Sequence, residues 1–163
     1  MQAGMRKTSP FAVVAVGVVF ILSGTASAQS DPLLGTWKLN LAKSKYDPGP
    51  PPMSVTLVRE SWETDGIKEV STVVLADGTH STSEISAHFD GKDYKFTTHP
   101  TLDTAALKRV NANTVTLTGK KGGKVVGTRT LVLSKDGKST TETWTVMNAK
   151  GQTSHAVAVF DRQ

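Results

Sequence analysis

The stretch Gly35-Thr36-Trp37-Lys38-Leu39-Asn40-Leu41 decides the fold class. It alternates, with Trp37, Leu39 and Leu41 on one face and Thr36, Lys38 and Asn40 on the other, which is the period of a half-buried strand. A second alternating run, Ala156-Val157-Ala158-Val159-Phe160-Asp161-Arg162, leads up to Gln163. A first strand and a last strand of this matching pattern predict a sheet that closes on itself.

Between these two runs the chain is strand and tight turn. Asp65-Gly66, Asp77-Gly78, Asp90-Gly91 and Asp136-Gly137 are each flanked by alternating or β-branched residues, a strong hairpin signal. Asn111-Ala112-Asn113, Lys121-Gly122-Gly123 and Asn148-Ala149-Lys150-Gly151 are weaker versions of it, and residues 98–103 form one longer break. The punctuation predicts strands near 35–41, 54–64, 67–75, 79–89, 92–97, 104–110, 114–120, 124–134, 138–147 and 152–162. Short links throughout imply up-and-down antiparallel order. The expected fold is therefore all-β, a closed up-and-down antiparallel barrel of about ten strands. Asp47-Pro48-Gly49-Pro50-Pro51-Pro52 lacks donors and favours an extended path, so it reads as a stiff loop over one end of the barrel.

The first 28 residues read as a leader rather than as part of the fold. Arg6 and Lys7 give a basic start, Phe11 to Leu22 an apolar run, and Ala26-Ser27-Ala28 a small-residue cleavage pattern. The apolar run is well short of the roughly 20 residues a membrane span needs. Cleavage after Ala28 is the expectation, with periplasmic or secreted localisation and residues 29–163 as one barrel domain. The formal charge of +5 then falls by two. The remaining lysines sit singly beside turns and form no nucleic-acid-binding stripe. Cysteine is absent, so burial alone must hold the fold, and thiolate metal or redox chemistry is excluded.

Strand parity sorts the faces. The inward set contains Trp37, Leu39, Val55, Leu57, Ile67, Val73, Leu75, Ile85, Ala87, Phe89, Tyr94, Phe96, Ala105, Leu107, Val115, Leu117, Val125, Leu131, Leu133, Trp144, Val146, Ala156, Ala158 and Phe160. Trp62 has the opposite parity from Leu57, which requires either a bulge or a partly exposed indole. Arg59, Arg109, Arg129 and Glu142 share parity with apolar neighbours, and Glu84 is a further polar candidate. Arg109 and Arg129 are candidate charged anchors for a ligand, or else rim and ion-pair residues. Ten strands leave more interior room than eight, so a cavity is expected. Its predicted lining is Trp37, Leu39, Leu57, Tyr94, Phe96, Leu107, Arg109, Leu117, Arg129, Leu131, Trp144, Ala158 and Phe160.

Catalytic and metal patterns do not emerge. His80, Glu84 and His88 share a strand face, but residues four apart on a strand lie roughly 13 Å apart, too far to hold one ion. His99 reads as a loop residue, and His155 as surface or, less favourably, an axial haem ligand. No nucleophile pairs with a base at readable spacing. The expectation is a monomeric binding protein, not an enzyme, with no catalytic residues, metal or cofactor.

Gly35-Thr36-Trp37-Lys38-Leu39 resembles the opening of fatty-acid-binding proteins, and its Gly-x-Trp resembles that of lipocalins. Residues 35–50, Asp90 to Tyr94, Leu107 to Asn113 and the Arg162-Gln163 end are similar to a family of small exported bacterial lipocalin-like barrels. The resemblance implies a calycin-type barrel. It also implies that Ala158 and Phe160 stand where fatty-acid-binding proteins carry the Arg and Tyr that hold a carboxylate. Arg162 matches the lipocalin arginine that stacks on the opening Trp. The expected function is binding of a small hydrophobic molecule as an exported carrier or sensor, with neutral lipids binding about as well as fatty acids. The alternative is a filled barrel serving as an interaction or envelope structural module, which an exposed Trp62 and the proline loop would favour.

Overall fold

A computed structural model describes residues 30–147 and 150–163. The expected leader, residues 1–28 with its cleavage point after Ala28, lies outside the described residues, as do Asn148 and Ala149 of the last hairpin turn.

The strands are β1 (Gly35–Leu39), β2 (Lys45–Asp47), β3 (Ser54–Trp62), β4 (Gly66–Val74), β5 (His80–His88), β6 (Asp90–Thr98), β7 (Thr104–Asn111), β8 (Thr114–Lys121), β9 (Lys124–Leu133), β10 (Ser139–Met147) and β11 (Thr153–Arg162). From β3 to β11 each strand pairs antiparallel with the next in sequence. β1 pairs with both β3 and β11, which closes the sheet. Trp37 sits between Leu57 of β3 and Arg162 of β11. The first wall strand is interrupted: β1 and β2 both lie along β11, facing residues 160–162 and 155–157 respectively. Counted together, they make the closed antiparallel barrel ten-stranded among the described residues.

The interruption has a local cause. Residues Leu41–Lys43 make one 3-10 turn, for which Asn40 Oδ1 accepts the Lys43 amide at 3.2 Å. Asn40 Nδ2 donates to Asp161 at 2.7 Å, tying the turn to β11. Ser44 Oγ accepts the Val159 amide at 2.9 Å and donates to Asn40 O at 2.7 Å, replacing the ladder bonds that the turn removes. Leu41, expected beside Leu39, is therefore in the turn and exposed.

One end of the barrel, here the lower end, is sealed. Trp37 is fully buried and its Nε1 donates to Leu33 O at 2.9 Å. The Arg162 guanidinium lies 4.2 Å from the Trp37 ring centre. Its Nε donates to Gly137 O at 2.9 Å, Nη1 to Leu34 O at 2.6 Å, and Nη2 to Pro32 O. Gly35 is needed twice here. Its φ of 121° is unfavourable for any other residue, and a Cβ would stand 2.8 Å from Arg162 Nη1. Above this seal Ile67, Ile85, Ala87, Ala105, Leu107, Val115, Leu131 and Leu133 form a continuous buried core.

Parity holds for most of the predicted inward set; its exposed members are Leu75, Val125 and, at the cavity mouth, Val146. Leu75 lies beyond the end of β4 and is exposed. Val125 sits beside the β8–β9 turn, where the register slips at Gly119/Lys120, and is exposed as well. Trp62 points outward: the β3–β4 ladder runs without a bulge to the Trp62–Gly66 pair. The indole is half-buried over Gly66, 4.7 Å from the His88 ring and 6.2 Å from the Tyr94 ring. A Cβ on Gly66 would be 2.7 Å from the indole, so the glycine makes room for it.

Candidate functional site

Toward the upper end the same strands turn small residues inward. Ser71 of β4 faces Ser83 of β5 in register, and β11 supplies Ala156 and Ala158. Side chains of this size do not fill a ten-stranded interior. A cavity of about 320 Å³ results, walled by Val55, Leu57, Val73, Phe96, Leu102, Leu117, Trp144 and Phe160. Tyr46, Pro48, Pro52, His99, Val146, Ser154 and His155 also border it. The mouth lies between the short strand β2, the proline loop and the 99–103 loop. Leu102 dips in over Gly119, where any Cβ would come within 2.7 Å of it. The proline segment does lie over one end of the barrel, as its composition predicts.

The floor of the cavity is ionic. Arg59 and Glu69 face each other across β3 and β4, while Arg129 and Glu142 project from β9 and β10. Arg59 Nε donates to Glu69 at 2.7 Å and its Nη2 to Glu142 at 2.6 Å. Arg129 Nη1 donates to Glu69 at 2.9 Å and to Glu142 at 3.5 Å. Four side chains thus bridge the barrel from wall to wall, and Glu142 is fully buried. Glu69 and Arg129 face the cavity; Arg59 and Glu142 lie behind them. Burial pushes the Glu69 carboxyl up, but the Arg129 and Arg59 guanidiniums overcome it and bring it from 4.5 down to about 2. Burial likewise opposes charge on Arg129, and Glu69 and Glu142 more than offset it, so the guanidinium is held protonated.

Two further polar groups are shaped by the site. Burial raises the Tyr46 phenol, and the nearby Glu142 charge raises it further. His99 Nδ1 accepts the backbone amides of Thr101 and Leu102 at 3.0 and 2.8 Å, which places the ring proton on Nε2. Burial, aided by the Lys121 charge, lowers the His99 pKa and keeps the ring neutral.

The predicted lining divides in two. Leu57, Phe96, Leu117, Arg129, Trp144, Ala158 and Phe160 converge on the cavity. Trp37, Leu39, Leu107 and Leu131 do not: they have the right parity but stand in or against the packed core. Tyr94 packs against Trp62 and His88, with its hydroxyl on Asp90 at 3.2 Å. Arg109 is at the lower end, paired with Asp31 and 4.1 Å from the Phe89 ring centre, so it is no anchor for this cavity. His155 is exposed at the mouth, its Nδ1 3.3 Å from Thr145 Oγ1. Glu84 is outside the barrel and pairs with Lys68 at 3.1 Å. Parity reasoning missed Glu69, which shares a face with Ile67 and Val73. It also missed Tyr46, on the three-residue strand β2, and His99, in the loop after β6, segments too short or irregular to show a period.

No protein-family model matches the sequence, and no curated protein matches it. Solved structures do. A single-residue variant of the fluorescent protein UnaG superposes with a TM-score of 0.55 at 14% identity, covering 81% of this chain and 96% of that one. Wild-type UnaG gives 0.52 at 12% identity, with 80% and 97% covered. A zebrafish ileal bile acid-binding protein complexed with cholic acid gives 0.48 at 14% identity, with 81% and 99% covered. The likeness is one of fold: this chain shares a closed ten-stranded antiparallel barrel with UnaG.

Proposed function

We propose that the protein binds a small lipophilic molecule in the upper half of its barrel and serves as an exported carrier or sensor. The observation that carries this is the cavity itself. Its volume of about 320 Å³ lies within the range of small-molecule sites, roughly 300–1,000 Å³. Its walls are largely aliphatic and aromatic, and a few polar groups converge at its floor. Export rests on the basic, apolar and small-residue pattern of residues 1–28. A binding role is favoured over catalysis because the acids and guanidiniums of the floor are spent on each other, so no general base stands beside a nucleophile.

The filled-barrel alternative is favoured by the lower half alone. Native mass spectrometry and lipid extraction of protein purified from its own compartment separate the two readings. A stoichiometric co-purifying small molecule supports the carrier. Clean apo protein that also fails to bind a neutral solvatochromic dye such as Nile red overturns it.

A further inference from the structure

Every charge on the cavity floor is already partnered. The two guanidiniums of Arg59 and Arg129 balance the two carboxylates of Glu69 and Glu142, and each guanidinium reaches both acids. An incoming carboxylate therefore meets no net positive charge. To reach Arg129 it has to displace Glu69, leaving one of two carboxylates buried without its ion partner. If it does not, it gives up its hydration for nothing. An uncharged head group has neither difficulty. The Tyr46 hydroxyl, the facing Ser71 and Ser83 hydroxyls and His99 border the space and can exchange hydrogen bonds with an alcohol, ester or amide.

We infer that the cavity selects uncharged lipophiles over fatty acids, and that Glu69 is the specificity-determining residue because its carboxylate cancels the positive charge of Arg129. This deepens the binding reading and rests on it.

The test is displacement of Nile red by decanol and by decanoate at pH 7. Decanol should displace the dye at a concentration at least about tenfold lower, a difference of 1.4 kcal/mol. Glu69→Gln leaves the guanidiniums in excess, so decanoate should gain at least about tenfold relative to decanol. If that variant does not fold, a pH series on the unmodified protein decides the matter. Between pH 7 and pH 4.5 the free acid, with an ordinary carboxyl pKa of roughly 4–5, becomes increasingly neutral while Glu69 stays ionised. The acid's affinity should therefore rise toward that of the alcohol, and the alcohol's should not move. Decanoate binding as tightly as decanol at pH 7, with affinity flat across this range, overturns the selectivity while leaving the binding reading intact. Failure of the dye and both lipids to bind removes both.

Discussion

The two ends of this barrel are made by the same strands and do opposite things. At the lower end β4, β5, β7, β8 and β9 point Ile67, Ala87, Leu107, Val115 and Leu131 inward, and the space is full. Toward the upper end β4, β5 and β11 offer Ser71, Ser83 and Ala156, and the space is empty. The four-residue ionic bridge of Arg59, Glu69, Arg129 and Glu142 stands between the two halves. Strand count sets how wide the interior is, but side-chain volume along each strand decides which part of it becomes core and which part becomes a site. The open-cavity and filled-barrel readings thus describe two halves of one molecule.

The sharpest way to break this comparison is to cut one large side chain from each half. Trp37→Ala removes a fully buried indole and leaves a hole where Arg162 has nothing to rest on, which should cost ~3–5 kcal/mol. Phe96→Ala removes a half-buried ring that already faces open space and should cost only ~1–2 kcal/mol. Urea midpoints measure both. Equal losses would mean that the upper half is as tightly packed as the lower.

The bridge between the halves has a pH signature. Glu69 has its carboxyl pKa depressed from 4.5 to about 2 in the folded protein. Its contribution is therefore fully present above pH 4.5 and disappears as pH falls toward 2. That contribution is of order 3 kcal/mol, since each tenfold change in proton affinity corresponds to about 1.4 kcal/mol. In the unmodified protein stability should fall with decreasing pH across that window. In Glu69→Gln the slope there should be smaller by about one proton's worth, as read from urea unfolding at a series of pH values. Identical slopes would show that Glu69 does not carry the bridge.

At the sealed end, Arg162→Ala should lower stability by roughly 1–2 kcal/mol through lost stacking on Trp37 and three unanswered carbonyls. Arg162→Lys should rescue little, because an ammonium cannot reach Gly137, Leu34 and Pro32 from one planar fork. An unchanged denaturation midpoint in Arg162→Ala would remove this contact from the account of how the barrel closes.

Much of the fold was readable because alternation and Asp-Gly punctuation are local signals. The nine long strands β3 to β11, and β1, follow from them to within a few residues. Parity tells in from out but carries no information on height along the barrel, and the site depends on height. Arg109 and Arg129 have the same inward credentials. The first ends at the lower rim with Asp31, and the second at the cavity floor with Glu69. Glu69 itself sits on the inward face of β4, but a glutamate on a strand reads as surface until its guanidinium partners from β3 and β9 are known. Tyr46 escaped because the break at Asn40–Ser44 depends on side-chain capping by Asn40 and Ser44, which a period-two pattern does not register. The run of small inward residues at Ser71, Ser83 and Ala156 was the available signal for where the cavity lies.

The smallest stability effect tests that signal most directly, by making one kind of change in each half. Ala87→Leu adds methylenes at a fully buried position of the lower core, beside Ile67, where overpacking should cost about 1–3 kcal/mol. Ser83→Leu also enlarges an inward side chain, but its new atoms enter the cavity beside Ser71 and Val73. Burying added methylenes in open apolar space contributes roughly 0.8 kcal/mol each at full burial. The lost hydroxyl and the ordered side chain offset part of this gain, so the net change should lie within about 1 kcal/mol of zero. Ligand binding responds the other way: the leucine occupies volume the ligand needs, so Nile red affinity should fall at least about tenfold in Ser83→Leu. In Ala87→Leu, under conditions where the variant remains folded, it should be unchanged. A Ser83→Leu protein that keeps full dye affinity places the binding site elsewhere on the molecule, and one that loses as much stability as Ala87→Leu shows that the upper half is not open.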